Sequence, residues 1–178
     1  NSPSQVKNQK SYLYKHAVRL YETYLLLNKL TKPNADVLSI GAGKAFTEYV
    51  LSKKKPLNLT VFDFPEVINN NKDQFKESNF STVEGNFLID SEKLGNKKFD
   101  ILLFCEIIEH IPVSPKKQLE ILKSYLKPKG FLIISTPNVA NIYHIVRLIR
   151  SKNIFSSAEK LFVNPSQKND FHCHRREY

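Results

Sequence analysis

Short runs of consecutive apolar residues alternate along this chain with segments in which apolar residues recur at every third or fourth position. The runs have the length and composition of buried strands, and they begin near residues 37, 57, 80, 99 and 131. Strands that alternate with helices predict an α/β fold, with a doubly wound parallel sheet covered by helices on both faces. We expect the strand order 3-2-1-4-5, which places the strand near residue 37 at the centre of the sheet.

The helical segments indicate how the chain is organised. Residues 12 to about 30 carry a helical stripe, which ends at the breaker Thr31-Lys32-Pro33-Asn34. We therefore expect an N-terminal helical cap over residues 1–34 and the main domain over residues 35–178. The other expected elements are a helix that opens at Pro65, a helix that begins at Ser114-Pro115, a turn at Pro128-Lys129-Gly130 and a helix over residues 139–149.

The first strand runs into a short turn made of Gly41, Ala42 and Gly43. Glycines at such a turn let the backbone come close to a ligand beside the N-terminus of the next helix. The second strand ends at Asp63, which lies 22 residues after Gly41, a spacing at which an acid commonly meets the hydroxyl groups of a ribose. Because ligands bind beyond the carboxyl ends of the strands in an open parallel sheet, these features predict a nucleoside site.

Aromatic and amide side chains follow the second and third strands. Phe64 comes directly after Asp63, and we expect its ring to cover an adenine face. Asn86 and Phe87 follow the third strand, and we expect their amide and ring to recognise the adenine edge. A nicotinamide-dependent oxidoreductase shares these features, but the third glycine of its fingerprint would fall at Phe46, which disfavours that class.

Two blocks in the second half of the chain carry a more specific pattern. Residues 99–111 read FDILLFCEIIEHI and residues 126–138 read LKPKGFLIISTPN. With the glycine turn, these blocks resemble class I S-adenosylmethionine-dependent methyltransferases, most closely the branch that contains the ubiquinone-biosynthesis O-methyltransferases and related small-molecule enzymes. The resemblance implies a Rossmann-like fold whose strands six and seven are missing from this chain. It also implies S-adenosylmethionine as cofactor, S-adenosylhomocysteine as product, and methyl transfer to oxygen or nitrogen of a small-molecule acceptor.

The resemblance also implies a set of cofactor-binding residues, with the glycine turn holding the methionine portion. The set is Ser39, Gly41, Ala42, Gly43, Asp63, Phe64, Asn86, Phe87, Cys105 and Glu106. Three positions depart from the family pattern: Ser39 and Asn86 stand where an acid is usual, and Ala45 stands where a third glycine is usual. Ser39 and Ala45 keep open a second interpretation, in which the domain is a degenerate, nonenzymatic cofactor-binding module.

Glu106, Glu109 and His110 form the sharpest chemical cluster of the sequence. If Glu106 begins a helical turn, the three side chains converge. We expect His110, together with Glu109, to act on the acceptor, since an imidazole titrates near neutrality and takes a proton from a hydroxyl group. The alternative is a divalent-metal site completed by His172 or His174, similar to that of RNA 3′-terminal 2′-O-methyltransferases. We favour the interpretation without a metal.

Composition narrows the possible partners and location. The 178 residues suffice for one domain, and 27 Lys and Arg against 17 Asp and Glu give a net charge of +10. The lysines are scattered apart from Lys53-Lys54-Lys55, which disfavours nucleic acid as a partner. No apolar run reaches the ~18 residues of a membrane helix, the start does not resemble a signal peptide, and Cys105 and Cys173 have no zinc or redox spacing. We expect a cytoplasmic protein without membrane insertion, and its oligomeric state stays open.

Overall fold

The computed structural model describes residues 3–111, 114–138, 140 and 142–152 of the chain. The helices are α1 (Pro3–Leu30), α2 (Phe46–Ser52), α3 (Pro65–Asn70), α4 (Lys72–Glu77), α5 (Phe87–Asp90), α6 (Pro115–Ser124) and α7 (Ile142–Ile149). The strands are β1 (Ala35–Ile40), β2 (Leu57–Asp63), β3 (Ser81–Glu84), β4 (Phe99–Cys105) and β5 (Leu126–Ser135). Short 3₁₀ turns lie at Ser91–Leu94 and Ile108–His110.

The five strands form one sheet in the order β3-β2-β1-β4-β5. β1 pairs in parallel with β2, from Ala35 opposite Leu57 to Ile40 opposite Phe62, and β2 pairs in parallel with β3. β1 therefore lies at the centre, where the strand order reverses and where open sheets of this kind bind ligands. The predicted fold class, a Rossmann-like α/β sheet of this order, is confirmed.

By compactness the chain divides into two units. The first comprises the residues up to Leu103 together with Tyr125–Ile133, and its core includes the fully buried Val37 and Leu38 of β1. It contains all of α1 to α5 and of β1 to β3. The expected boundary between a cap and a main domain, after residue 34, stays a prediction.

The second unit comprises Phe104–Ser124 and the described residues from Ile134 onward. In this unit α6 buries Leu122, whereas α7 buries none of its residues and exposes Ile142 and Ile149. No helix in the described part of the chain combines the length and the apolar content that a membrane span requires.

Several helix bounds differ from the predicted ones. α1 already includes Pro3, well before the predicted start near residue 12. α7 is described from Ile142 to Ile149, and positions 139 and 141 of the predicted helix lie outside the described residues. The helix predicted to open at Pro65 is α3, and a break at Asn71, whose φ of −118° is not helical, separates it from α4. The break follows from local chemistry, because a short amide side chain competes with the helix for backbone partners. Here the Asn71 amide donates to the carbonyl oxygen of Val67 at 2.8 Å.

The predicted turn at residues 128–130 lies inside β5, which starts at Leu126. Lys129 has a φ of 63°, so the turn-forming sequence distorts the strand locally instead of preceding it. The predicted start of this strand, near residue 131, was wrong because its contact with β4 begins before the turn. The N–H of Phe99 already donates to the carbonyl oxygen of Tyr125 at 2.9 Å.

The one lysine run of the sequence fastens α1 to the remainder of the first unit. Lys55 Nζ donates to the carbonyl oxygens of Asn28 and Thr31, at 2.6 and 3.2 Å. Lys54 Nζ donates to the hydroxyl group of Tyr24 at 2.9 Å. A cation at a helix C-terminus satisfies the last carbonyls and opposes the negative end of the helix dipole. These lysines therefore have a structural role within the domain.

Candidate functional site

The turn between β1 and α2 depends on residues with positive φ. Gly41 and Gly43 have φ values of 60° and 56°, a region that glycine enters at little cost. Ala45 has a φ of 47°, which costs a residue with a Cβ roughly 1–2 kcal/mol. The N–H of Ala45 donates to the carbonyl oxygen of Ala42 at 2.8 Å, and α2 begins at the next residue. The predicted glycine turn is therefore present, and Ala45 is its third residue with a left-handed backbone.

Asp63, the last residue of β2, lies against this turn. Its Oδ2 accepts the N–H of Gly43 at 2.9 Å, and its Oδ1 accepts the N–H of Phe64 at 2.8 Å. The residue is 6% exposed, and this burial raises the pKa of its carboxyl, while the two backbone N–H groups lower it. Each carboxylate oxygen has more than one lone pair, so Asp63 retains the capacity to accept hydrogen bonds from ligand hydroxyl groups.

Two side chains that the sequence analysis did not single out support the turn from the neighbouring helices. Asn71, at the break between α3 and α4, donates from Nδ2 to the carbonyl oxygen of Gly43 at 3.5 Å. Gln74 of α4 donates from Nε2 to the carbonyl oxygen of Lys44 at 2.6 Å. Their only sequence signal was a polar pair near a helix break, which is common on any surface helix.

Phe64 and Asn86 lie at the strand ends where they were expected. Phe64 is 46% exposed, so its ring is accessible to a ligand face. The Oδ1 of Asn86 accepts the N–H of Leu88 at 3.1 Å and caps α5, while the N–H of Asn86 donates to Oδ2 of Asp90 at 2.8 Å. The amide therefore has a capping role that the sequence analysis did not foresee, and its contact with adenine stays a prediction.

Phe87 belongs to the core of the first unit. Its side chain is 6% exposed and packs edge to face on Phe62, with the ring centroids 5.5 Å apart. The ring of Tyr125 lies on another side, at a centroid distance of 6.2 Å. Core packing thus covers most of this ring, and its contact with an adenine edge stays a prediction.

Ser39 is paired with a buried acid that the sequence analysis missed. Ser39 Oγ donates to Oε1 of Glu48 at 2.5 Å. Glu48 lies in the first turn of α2 and is 7% exposed, and Ser39 is buried as well. Burial raises the pKa of the Glu48 carboxyl, and the hydrogen bonds from Ser39 and from its own backbone N–H lower it. An acid is common in the first turn of a helix, so the sequence offered no reason to single this one out.

Replacing Glu48 with Gln should raise the stability of the protein at neutral pH. Because burial raises the folded-state pKa above the ordinary value of 4.5, the folded state holds the proton more tightly than the unfolded chain does. The wild type therefore loses stability as the pH rises from 4.5 through the folded-state pKa, whereas the Glu48→Gln variant has no such loss. Urea unfolding between about pH 4 and pH 8 would measure the difference between the two proteins. A difference that does not grow with pH would contradict this prediction.

The second unit contains Cys105 and Glu106. Cys105 is the last residue of β4 and is partly exposed. Glu106 is fixed to the end of β5, because its N–H donates to the carbonyl oxygen of Ser135 and its Oε1 accepts the Ser135 hydroxyl, both at 2.8 Å. Its φ of 57° is left-handed, and the 3₁₀ turn begins only at Ile108. The condition for convergence of the cluster, that Glu106 begins a helical turn, is therefore not met.

Glu109 and His110 occupy that 3₁₀ turn. Glu109 is 2% exposed, and its Oε1 lies 3.9 Å from Nε2 of His110. Such burial conflicts with a direct action of Glu109 on an acceptor, so any such effect would pass through His110. Within residues 3–111, 114–138, 140 and 142–152, no three His, Cys, Asp or Glu side chains are grouped to hold a metal ion. His172 and His174 lie outside the described residues.

Comparison with protein families identifies the chain. A family model described as a methyltransferase domain matches residues 11–173, so the chain belongs to this family. The resemblance to class I S-adenosylmethionine-dependent methyltransferases is thereby confirmed, while the narrower ubiquinone-biosynthesis branch stays a prediction. No curated protein matches the chain.

Solved structures share the fold at low identity. A TehB-like S-adenosylmethionine-dependent methyltransferase from Corynebacterium glutamicum is 19% identical, with a TM-score of 0.56 over 75% of this chain and 73% of that one. Coclaurine N-methyltransferase, bound to N-methylheliamine and S-adenosylhomocysteine, is 14% identical, with a TM-score of 0.55 over 65% of this chain and 35% of that one. The [4+2]-cyclase SpnF is 14% identical, with a TM-score of 0.55 over 64% of this chain and 43% of that one. This chain thus spans about a third of the length of coclaurine N-methyltransferase.

Proposed function

We propose that this chain is the cofactor-binding part of an S-adenosylmethionine-dependent methyltransferase that methylates oxygen or nitrogen of a small molecule. The observation that carries the proposal is the contact between the glycine turn and Asp63, in which Oδ2 accepts the N–H of Gly43 at 2.9 Å. It brings a turn with a closely approachable backbone and a buried acceptor together at the centre of the sheet. Membership of the methyltransferase-domain family supports the same activity.

The residues of the first unit fit the parts of this cofactor. The turn over residues 41–43 offers backbone groups to the amino-acid portion, Asp63 offers carboxylate oxygens to the ribose hydroxyl groups, and Phe64 offers an exposed ring to the adenine. When bound, S-adenosylmethionine supplies a methyl group on a positively charged sulfur, which is already activated for transfer. The remaining task of the protein is to orient the acceptor and exclude water.

The second unit supplies the proposed acceptor chemistry. We assign to His110 the removal of a proton from the acceptor, because a neutral imidazole accepts a proton near physiological pH. Cys105 and Glu106 keep their predicted contacts with the cofactor as part of this proposal. A small-molecule acceptor is favoured over nucleic acid because Lys54 and Lys55 are engaged with α1.

A nonenzymatic module is the second candidate, and the left-handed Ala45 favours it, since a strained turn is expected to weaken cofactor binding. The structural similarity to a [4+2]-cyclase also indicates that this fold is compatible with chemistry other than methylation. Calorimetric titration of the chain with S-adenosylhomocysteine and with NADH tests the proposal. The methyltransferase is supported if the chain binds S-adenosylhomocysteine and also converts S-adenosylmethionine to S-adenosylhomocysteine when candidate acceptors are present. Binding without turnover favours the module, and a preference for NADH contradicts both.

Replacing His110 with Ala should slow methyl transfer about tenfold while leaving the affinity for S-adenosylhomocysteine nearly unchanged. The expected loss lies below the usual contribution of about a hundredfold or more from general acid–base catalysis, because the positively charged sulfur already activates the methyl group and proton removal from the acceptor is only part of the barrier. The rate of S-adenosylhomocysteine release and a calorimetric titration measure the two quantities. If the affinity for S-adenosylhomocysteine and the rate of methyl transfer fell by the same factor, His110 would be a cofactor-binding residue instead.

A further inference from the structure

The first unit contains a buried carboxyl group that takes no part in the proposed function. Glu48 is 7% exposed and accepts the hydroxyl hydrogen of Ser39 at 2.5 Å. A carboxyl that is taken out of water is costly unless it is well hydrogen-bonded, so its presence in the interior calls for an explanation.

The pair joins the two ends of the glycine turn. Ser39 lies in β1, two residues before Gly41, and Glu48 lies in the first turn of α2. The hydrogen bond between them therefore closes a loop around the residues that leave the strand and enter the helix. Between these two ends, the N–H of Gly43 donates to Oδ2 of Asp63 at 2.9 Å. Two carboxyl groups thus fix the turn, one through Ser39 and one directly.

The two acids face different parts of the turn. Asp63 ends β2 and also accepts the N–H of Phe64, the residue with the accessible ring. Glu48 is tied to β1 and α2, at the base of the turn that would hold the amino-acid portion of the cofactor. That portion carries an ammonium group and a carboxylate, and in S-adenosylmethionine it is bonded to a positively charged sulfur. A carboxylate in a poorly solvated position attracts the positive groups, and repels the ligand carboxylate, more strongly than an amide in the same place would.

We propose that Glu48 is a positioning residue for the amino-acid portion of S-adenosylmethionine, acting through Ser39 on the shape and the electrostatic potential of the glycine turn. The proposal rests on the proposed function. It gives the two acids different tasks, because Asp63 serves the nucleoside as well as the turn, whereas Glu48 acts only on the amino-acid portion.

The test compares two ligands that differ only in the amino-acid portion. S-adenosylhomocysteine carries it, whereas 5′-methylthioadenosine has the same nucleoside and ends in a methyl group on sulfur. Glu48→Gln is expected to weaken binding of S-adenosylhomocysteine about tenfold and to leave binding of 5′-methylthioadenosine unchanged, which corresponds to about 1.4 kcal/mol of selective loss. Glu77→Gln, at an exposed acid of α4, is the matched control and should change neither affinity.

A merely structural role gives a different pattern. If Glu48 only held the fold together, Glu48→Gln would lower stability and weaken both ligands alike, and this result would overturn the proposal. Unchanged binding of both ligands would also overturn it. Ser39→Ala provides a second variant, and combining it with Glu48→Gln should add little to the larger single loss, since both changes remove one interaction. Full additivity would contradict action through Ser39. Wild-type protein that binds neither ligand would overturn the proposed function itself, which is a distinguishable outcome.

Discussion

Asp63→Ala should weaken the binding of S-adenosylhomocysteine by about 1.5–3 kcal/mol, the range for hydrogen bonds to a charged group, or roughly ten- to a hundredfold in affinity. The carboxylate is the expected acceptor for the ribose hydroxyl groups. It also holds the N–H groups of Gly43 and Phe64, at 2.9 and 2.8 Å, so its removal loosens the turn as well. Both effects act in the same direction on affinity.

The matched control for this change is Glu84→Ala. Glu84 lies opposite Asp63 in the parallel register of β2 and β3, and its side chain is exposed. Removing this neighbouring acid alters the net charge by the same amount, yet it should leave the affinity unchanged. Calorimetric titration of both variants measures the comparison. Wild-type affinity in Asp63→Ala would mean that the nucleoside binds elsewhere.

The parts of the fold that sequence could predict are those with local causes. The apolar run before Gly41 is long enough for one buried strand, and the glycine then requires a turn. The same logic located Asp63, since a strand that ends in an acid brings that acid to the edge of the sheet where β1 also ends. The strand order was predicted from the alternation of strands with helices and from the central place of the glycine turn. The observed order agrees with this prediction.

The parts that sequence could not predict depend on contacts between distant residues. Phe87 follows a strand as a ligand-binding ring would, but its partner Tyr125 is 38 residues away and draws it into the core. In the sequence, Glu48 resembles any acid in the first turn of a helix. Its contact with Ser39 exists only because the glycine turn reverses the chain between β1 and α2. In the second unit, the spacing from Glu106 to Glu109 is helical, but a left-handed backbone at Glu106 cancels the geometry that the spacing implied. Spacing indicates proximity only where the backbone between the residues is regular.

Gly85→Ala should destabilise the protein by about 2–4 kcal/mol, because it combines an unfavourable backbone conformation with a collision. Gly85 has a φ of 156°, and a Cβ built on it would lie 2.7 Å from Oδ2 and 2.9 Å from Cβ of Asp90. The carboxylate could rotate away, but the Cβ of Asp90 is fixed by the backbone of α5. Moving Asp90 also breaks its hydrogen bond with the N–H of Asn86, at 2.8 Å.

Gly43→Ala separates the two contributions. Gly43 also has a positive φ, 56°, but a Cβ there would meet no atom within 4 Å. That variant should therefore lose only the conformational cost of roughly 1–2 kcal/mol, measured as the shift of the urea midpoint. The excess loss in Gly85→Ala then measures the collision with Asp90, and Gly85→Ala should therefore cost less in an Asp90→Gly background than in the wild type. Equal losses at the two glycines would show that α5 shifts freely, and Asn86 would then lack the fixed position that a role in adenine recognition requires.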